Sequence, residues 1–248
     1  MRQVDDVSLV FYSHSTYSDL WDIFVSSVDK YLTMEFKKYH FLCDEGQVDD
    51  KYETHHYDNN VQYSKRLLSV IEKVETEFVV VHHEDHFFHA PVNEEKFLIS
   101  KNVLKQNDDI SFIKYAKAGT PMDIMRLSQH KNYKNFNLIR SDFDYVYTVQ
   151  PNLWKTSRLK EILNRFDLNG WKLETDTREY CVLNNIQGLC YYSGNERQRG
   201  KMHWDSSVYP TINAISKGKW TISHYKNELT QVTEEHNVDM NIRGYDNG

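Results

Sequence analysis

The stretch VVVHHEDHFF, from Val79 to Phe88, decides the fold of this chain. Three consecutive valines predict a buried strand, and the strand runs directly into two carboxylates. Glu84 and Asp85 do not suit a strand interior, because an unpaired buried charge is costly. In an open α/β sheet, ligands bind in the crevice beyond the carboxyl ends of the strands. We therefore expect this acidic pair to lie in such a crevice, where it would suit a divalent cation and, through it, a diphosphate.

Strand and helix patterns alternate along the first two thirds of the chain. Strands are predicted at residues 7–12, 39–43, 78–82, 110–115 and 144–149, and helices at residues 63–74, 93–106 and 153–166. This alternation predicts an α/β fold with a mostly parallel central sheet flanked by helices. We expect a single domain over residues 1–225 and a polar tail over residues 226–248, with residues 117–143 forming an irregular excursion.

Composition narrows the class of protein. Hydrophobic residues make up 40% of the 248 positions and charged residues 27%, as in an ordinary soluble globular protein. The net charge of −6 argues against a nucleic-acid partner, which needs a cationic face. No apolar run approaches the ~20 residues of a transmembrane segment, and no signal peptide is visible. Three cysteines without Cys-x-x-Cys spacing fit a reducing compartment, so we expect a cytoplasmic protein.

Four segments carry a resemblance to a known family: VSLVFYSHSTYSDLWDIFVSSVDKYL at 7–32, YSKRLLSVIEKVETEFVVVHHEDHFF at 63–88, YTVQPNLWKTSRLKEIL at 147–163 and NGWKLE at 169–174. In this order, the chain resembles a GT-A type glycosyltransferase, especially the small bacterial and viral enzymes that build surface glycans. The resemblance implies a GT-A, Rossmann-like fold. It also implies metal-assisted, inverting transfer of a sugar from a nucleoside diphosphate sugar to a glycan hydroxyl, with Mn²⁺ or Mg²⁺ as the metal.

The resemblance also implies a set of donor-binding residues. Ser13, Ser15 and Thr16 follow the first strand, Asp44 ends the second strand, and Arg66 lies at the start of the next helix. Glu84 and Asp85 belong to the acidic motif. Arg197, Arg199 and Lys201 lie in a basic loop that would cover the diphosphate. The metal ligands would be Asp85, His86 and His203. One departure matters, because the family's Asp-x-Asp element is Glu84-Asp85-His86 here. His86 would then bind the metal, or Asp85 would take over, or the enzyme would work without a metal.

An inverting sugar transfer needs a carboxylate that takes the proton from the acceptor hydroxyl. The resemblance places Glu174 on the acceptor side, within a Trp-x-x-Glu element that begins at Trp171, with Asp176 as the alternate base. Glu174 also suits the start of a helix, where its charge would interact with the helix dipole. Trp171 would stack on a sugar ring or pack internally, whereas Trp154 is expected to pack in the core.

Two other classes of protein stay open. One is a noncatalytic carbohydrate-binding protein with a GT-A-like fold, because the acidic motif departs from the family pattern. The other is a zinc-dependent hydrolase built on four nearby histidines: His82, His83, His86 and His89. Neighbouring positions of a strand face opposite sides, which argues against a site shared by His82 and His83. The chain has no Gly-x-Gly-x-x-Gly or Walker sequence, which disfavours a Rossmann dehydrogenase.

Overall fold

The computed structural model describes residues 2–116, 128–200 and 203–246 of the protein. Within that part of the chain, nine strands form the central sheet: β1 (Arg2–Tyr12), β2 (Met34–Cys43), β3 (Glu53–His56), β4 (Phe78–His83), β6 (Ile110–Lys114), β7 (Ser128–Gln129), β8 (Phe136–Ile139), β9 (Asn152–Lys155) and β10 (Gln187–Tyr191). Their order is β3-β2-β1-β4-β9-β6-β10-β8-β7. The β3-β2-β1-β4 and β6-β10 neighbours are parallel, and β9 runs antiparallel between β4 and β6.

Helices cover both faces of this sheet. They are α1 (Trp21–Tyr31), α2 (Tyr63–Ile71), α3 (Glu94–Gln106), α4 (Thr156–Arg165), α5 (Gly170–Asp176), α6 (Arg178–Leu183) and α7 (Ile222–Glu235). One core joins the sheet to α1, α3 and α7, and a second core on the opposite face joins it to α2, α4, α5 and α6. The predicted α/β fold with a mostly parallel, Rossmann-like sheet is therefore confirmed.

Alternation along the central strands explains the two cores. In β1, Leu9 and Phe11 enter the α1 core, whereas Val10 and Tyr12 enter the α2 core. A strand buried on both faces reads as a continuous apolar run, as Val79 to Val81 of β4 does. The chain leaves β1 through α1 on one face and reaches β4 through α2 on the other. The strand order therefore reverses between β1 and β4, which opens a crevice at their carboxyl ends.

Several predicted boundaries differ from the structure. β1 and β2 begin at Arg2 and Met34, earlier than the predicted residues 7 and 39. The additional residues are more polar, but they pair with each other across the two strands. Residues 152–155 form β9 and α4 begins only at Thr156, since Asn152 to Lys155 pair with both β4 and β6. Residues 144–149 form no strand, and Tyr145 has a φ of 57°, which a strand does not allow. In the predicted 117–143 excursion, residues 117–127 lie outside the described residues, while β7 and β8 occupy part of the rest.

Short two-stranded sheets bring the C-terminal part of the chain to the end of β4. β5 (His86–Phe88) pairs with β13 (Thr211–Asn213), and β14 (Ile215–Ser216) pairs with β15 (Lys219–Trp220). Trp220 then forms a bridge with Tyr245. The predicted boundary at residue 225 falls inside α7, and whether residues 226–248 behave as a separate tail stays a prediction. No helix in the described ranges is long and apolar enough to cross a membrane.

Candidate functional site

The carboxyl ends of β1, β2 and β4 converge on the crevice between β1 and β4. The amide of Glu84 donates to the carbonyl of Tyr12 at 3.2 Å, and the amide of Ser13 donates to the carbonyl of Leu42 at 2.8 Å. These bonds extend the strand pairing by one residue and place the β1 loop beside the acidic motif. The structure therefore brings together the predicted residues of the first loop, of the end of β2 and of the end of β4.

Asp44 holds the loop that follows β1. Its carboxylate accepts from the Ser15 amide at 2.6 Å, from the Ser15 hydroxyl at 2.8 Å and from the Asn59 amide group at 3.0 Å. Burial alone would raise the pKa of Asp44, but these hydrogen bonds outweigh it and hold the pKa well below its usual value. His14 lies 3.4 Å from the same carboxylate. Asp44 is thus a fully engaged anion whose first role is to shape the loop.

An aromatic platform forms the floor beside this loop. Tyr57 stacks on Tyr12 with ring centroids 5.5 Å apart, and its hydroxyl donates to the carbonyl of Ser13 at 2.8 Å. The guanidinium of Arg66 lies 4.7 Å from the Tyr57 ring centroid and donates to the carbonyls of Asn59 and Val61 at 2.8 Å. Arg66 therefore braces the segment that carries Asn59, and its cationic group lies over the Tyr57 ring.

Burial outweighs the hydrogen bonds that the acidic pair receives from its backbone and, at Glu84, from the Ser13 side chain. Glu84 is only 5% exposed, and burial, followed by the negative charge of Asp85, raises its pKa well above the usual value. Burial also raises the pKa of Asp85, whose Oδ1 is buried and accepts no hydrogen bond. Ligand atoms of His83, Glu84 and Asp85 all lie within 4.8 Å of one another. Two adjacent carboxylates in this setting favour a bound cation or a shared proton.

The four histidines near this motif do not form one site. His82 faces the α1 core, where its Nδ1 lies 3.1 Å from the Tyr209 hydroxyl and its Nε2 lies 2.6 Å from the His86 carbonyl. His83 faces the opposite side, and its Nε2 lies 2.9 Å from the hydroxyl of Tyr63. Both ring nitrogens of His82 are occupied, so the four-histidine zinc site is not formed.

The predicted metal ligands are placed unevenly. Asp85 lies in the acidic cluster, and His86 Nε2 is 3.8 Å from its Oδ1. His83 joins the cluster instead of His86, which neither its spacing nor the family pattern indicated. The side chain of His203 lies outside the described residues. A cation at this point would find two carboxylates and one imidazole, a donor set that suits Mn²⁺ better than Mg²⁺.

Arg243 is a site residue that the sequence did not indicate. Its Nε donates to Asp19 at 2.7 Å, a second nitrogen contacts the other oxygen of that carboxylate, and the Thr16 carbonyl lies 3.1 Å away. The guanidinium also lies 4.8 Å from the ring centroid of Tyr17. Its positive charge opposes the rise in the pKa of Glu84. Arg243 follows this loop by more than 200 positions, so only the folded chain brings the two together.

A buried polar network leads from β4 toward the predicted base. The Tyr63 hydroxyl lies 2.9 Å from His83 Nε2 and 3.2 Å from the Tyr147 hydroxyl. Burial raises the pKa of Tyr147, and the charge of Glu174 adds to that rise. Glu174 accepts from the Val149 amide at 2.8 Å, and burial raises its own pKa despite the nearby positive charge of Lys114. Glu174 is therefore a partly buried carboxyl with a raised proton affinity.

The other acceptor-side candidates differ in exposure. Asp176 is exposed and accepts from the Thr175 hydroxyl at 2.7 Å. Trp171 is 67% exposed, one helical turn before Glu174 on the same helix. Trp154 is buried against Phe112 with ring centroids 4.5 Å apart, so its predicted core position is confirmed. An exposed tryptophan beside a buried carboxyl favours Trp171 as a contact surface.

The arginines of the basic loop form ion pairs that the sequence did not indicate. Arg199 lies in β11 (Gln198–Gly200), where it donates to Asp205 at 2.8 Å and to Glu228 at 2.5 Å. Two carboxylates already offset its charge, because β11 packs against α7. Arg197 is exposed and lies 3.7 Å from Asp205. Lys201 lies outside the described residues, so the phosphate-binding role of this loop stays a prediction.

Comparisons with known proteins give remote similarities only. No protein-family model matches the chain, and no curated protein matches it. Among solved structures, the bifunctional IspDF from Campylobacter jejuni is 15% identical, over 82% of this chain and 52% of that chain, with a TM-score of 0.44. This chain thus spans about half the length of that protein.

Two further solved structures are similar at the same level. A CMP:2-keto-3-deoxy-manno-octonic acid synthetase complexed with CTP is 8% identical, over 75% of this chain and 89% of that chain, with a TM-score of 0.49. A cytidylyltransferase from Leptospira borgpetersenii is 11% identical, over 96% of this chain and 98% of that chain, with a TM-score of 0.45. None of these names describes a glycosyltransferase. Similarities this remote assign no activity or ligand to the chain.

Proposed function

We propose that this protein is a glycosyltransferase that moves a sugar from a nucleoside diphosphate sugar to a glycan hydroxyl. The observation that carries the proposal is the Glu84–Asp85 pair at the point where the strand order reverses, where Glu84 is buried and the Asp85 side chain is 29% exposed. Two carboxylates whose pKa values are raised side by side are poorly stabilised by the protein alone. A metal bound to a diphosphate would supply the missing positive charge and also neutralise the leaving group.

The donor set of the crevice fits Mn²⁺, and less well Mg²⁺. Asp85 offers a buried carboxylate oxygen without a hydrogen-bond partner, and His83 and Glu84 offer ligand atoms within 4.8 Å. When bound, the metal would hold the diphosphate and stabilise the charge on the departing phosphate. His83 Nε2 is engaged by Tyr63, so its Nδ1 is the nitrogen left to face a cation.

The nucleoside would bind beside the β1 loop. Ser13, Ser15 and Thr16 lie in a loop that Asp44 holds in one conformation, which lowers the entropy cost of binding. The stacked Tyr12 and Tyr57 rings are both buried and support this loop from one side. Arg66, which lies over the Tyr57 ring, is the cation that we expect near the ribose or phosphate.

Glu174 is the proposed base in an inverting transfer. Burial raises its pKa, which makes the carboxylate a better proton acceptor near neutral pH. Trp171 lies one turn earlier and is exposed, so it could stack on the acceptor sugar while Glu174 takes the hydroxyl proton. Asp176 is the alternate base, although its exposure leaves its environment close to water.

A donor screen tests this proposal. The full chain would be melted with UDP-, GDP-, CMP- and dTDP-sugars and with CTP, each with and without Mn²⁺. A ligand that binds only the folded state raises the melting temperature. We expect one class of nucleoside diphosphate sugar to stabilise the chain in the presence of Mn²⁺, followed by slow release of the nucleoside diphosphate and faster release with a suitable glycan.

Three outcomes would count against the proposal. Stabilisation by CTP with release of pyrophosphate would indicate nucleotidyl transfer instead. Stabilisation by a glycan alone, with no response to any nucleotide, would support the noncatalytic carbohydrate-binding protein. If neither Mn²⁺ nor Asp85→Asn changes the affinity for the nucleotide sugar, the assigned metal site is wrong.

A further inference from the structure

A second cluster of ligating side chains lies away from the crevice, at the edge of the sheet. His40 is in β2, and Glu53 and His55 are in the edge strand β3. His40 pairs with Glu53 and Leu42 pairs with His55 across these parallel strands. Residues two apart on a strand share a face, so all three side chains lie on the face of the sheet that α2 covers.

The three side chains converge closely. His40 Nδ1 and His55 Nε2 are 3.0 Å apart. Glu53 Oε2 lies 3.8 Å from His40 Nδ1, and Glu53 Oε1 lies 3.7 Å from His55 Nε2. Tetrahedral zinc, with bonds of roughly 2.0–2.2 Å, holds its ligand atoms about 3.4 Å apart. Ligand atoms of the three residues all lie within 4.8 Å of one another, so small side-chain rotations would place one ion at bonding distance from all three.

We propose that His40, His55 and Glu53 form a zinc site that ties the edge strand β3 to β2, with water in the fourth position. Two imidazoles and one carboxylate are a donor set that zinc accepts readily. The two histidines are buried while Glu53 is half exposed, so the fourth ligand position faces solvent. The inference does not depend on the proposed sugar transfer, because it concerns residues outside the crevice.

The hydrogen bonding of the two rings supports the proposal. Without a metal, the two facing nitrogens share a single proton. His40 Nε2 is buried and has no hydrogen-bond partner. The pair is thus not arranged to satisfy both rings by hydrogen bonds alone.

Two lysines compete with the metal. Lys73 Nζ lies 3.2 Å from His55 Nδ1, and Lys38 Nζ lies 3.4 Å from Glu53 Oε2. Zinc on His55 Nε2 requires a proton on Nδ1, and this N–H cannot face an ammonium group. Lys73 must therefore withdraw when zinc binds. Lys73→Gln would replace the ammonium with a carbonyl oxygen that accepts from Nδ1, and it should strengthen binding.

The test is a zinc titration against a chromophoric chelator. It uses the metal-stripped full chain carrying Asp85→Asn, which removes the first candidate metal site. We expect one zinc ion per chain, a loss of at least tenfold in affinity with Glu53→Gln, and no measurable site with His55→Gln. Lys73→Gln should gain affinity. His56→Gln is the matched control, because His56 lies in the same strand but its Nε2 contacts the Gly46 carbonyl instead.

Cobalt gives a second readout that does not depend on affinity. Co²⁺ bound by these three residues and water should show the intense visible absorption of a tetrahedral ion, and Glu53→Gln should weaken it. The proposal is overturned if the Asp85→Asn chain binds no zinc, or if Glu53→Gln and His55→Gln bind it as tightly as His56→Gln does. The cluster would then be a hydrogen-bonded histidine pair only. Glu53 is exposed, so its substitution leaves the fold testable in every case.

Discussion

Two acidic sites at the ends of the strands that flank β1 have opposite electrostatics. Asp44, at the end of β2, receives three hydrogen bonds that hold its pKa well below the usual value. Glu84 is buried and Asp85 is partly buried at the end of β4, and burial raises the pKa of both carboxyls. The same residue type therefore serves two purposes. The protein itself stabilises the first carboxylate, whereas the pKa values of the second pair stay raised, and we propose that a bound metal supplies the missing positive charge.

This difference separates a structural role from a binding role. Hydrogen bonds to a charged acceptor stabilise a fold, and the loop that Asp44 holds gains a single conformation. A pair whose pKa values stay raised despite its hydrogen bonds, as those of Glu84 and Asp85 do, costs stability, and proteins retain that cost mainly where a ligand or reaction uses the charge. Arg243 offsets only part of it, since its guanidinium is already paired with Asp19.

The largest expected effect concerns Glu174, a third carboxyl with a raised pKa but without an acidic neighbour. Glu174→Gln should lower turnover by roughly 10²–10⁴-fold, because general-base catalysis contributes about that factor. Donor affinity should barely change, since the proposed diphosphate site is at the other end of the network. Asp176→Asn is the comparison variant. Equal turnover in Glu174→Gln and the parent would transfer the role to Asp176 or exclude an inverting mechanism with this element.

The next effect concerns the satisfied carboxylate. Asp44→Ala should lower the free energy of unfolding by about 2–3 kcal/mol, because a hydrogen bond to a charged group contributes roughly 1.5–3 kcal/mol. Urea denaturation measures this directly. Asp142→Ala is the control, since Asp142 forms an exposed ion pair with Arg140 and should change stability by at most ~0.5 kcal/mol. If Asp44→Ala lowers the free energy of unfolding no more than the control does, Asp44 does not stabilise the loop.

Glu84→Gln should have the opposite sign. Removing a buried, repelled charge should raise the free energy of unfolding in metal-free buffer by about 0.5–2 kcal/mol, the usual gain from relieving a functional strain. The exposed Glu95→Gln is the matched control. A destabilised Glu84→Gln chain would show that the protein satisfies this carboxylate after all, and the contrast with Asp44 would disappear.

The smallest effect is a dependence on pH. The folded-state pKa of Glu84 lies above its usual value of 4.5, so the folded chain holds the proton more tightly than the unfolded chain. Stability is then lost as the pH rises above about 4.5. The advantage of Glu84→Gln should vanish near pH 4 and grow toward pH 7. Asp44 behaves oppositely, because its contribution is present above its usual value of 3.8 and is lost only in stronger acid.

The sequence predicted the fold better than the site. Valine runs and alternation identified β1, β2 and β4, because a strand buried on both faces reads as continuous hydrophobicity. The same reasoning placed residues 144–149 in a strand, since aromatic and β-branched residues dominate there. The structure instead turns the chain at Tyr145 and uses residues 152–155 as β9. Pairing with two neighbouring strands decided this, and local propensity does not report such pairing.

The sequence predicted those residues of the candidate site that directly follow a strand. The loop after β1, Asp44 and the acidic pair all met at the crevice, because the carboxyl ends of parallel strands share one edge. Arg243 was missed, since the contact between Arg243 and Asp19 depends on the path of the chain through β13, β14 and β15. Arg199 looked like a free cation in the sequence, but Asp205 and Glu228 approach it only in the folded chain.

The most direct test of the central claim is a calorimetric titration of the donor nucleotide with and without Mn²⁺. It compares the parent chain with Asp85→Asn, and Asp142→Asn serves as the control. If the acidic pair binds a metal that in turn binds the diphosphate, Mn²⁺ should strengthen donor binding at least tenfold in the parent and in the control. Asp85→Asn should lose this enhancement while its melting temperature is maintained or raised. An equal Mn²⁺ enhancement in all three chains would contradict the claim.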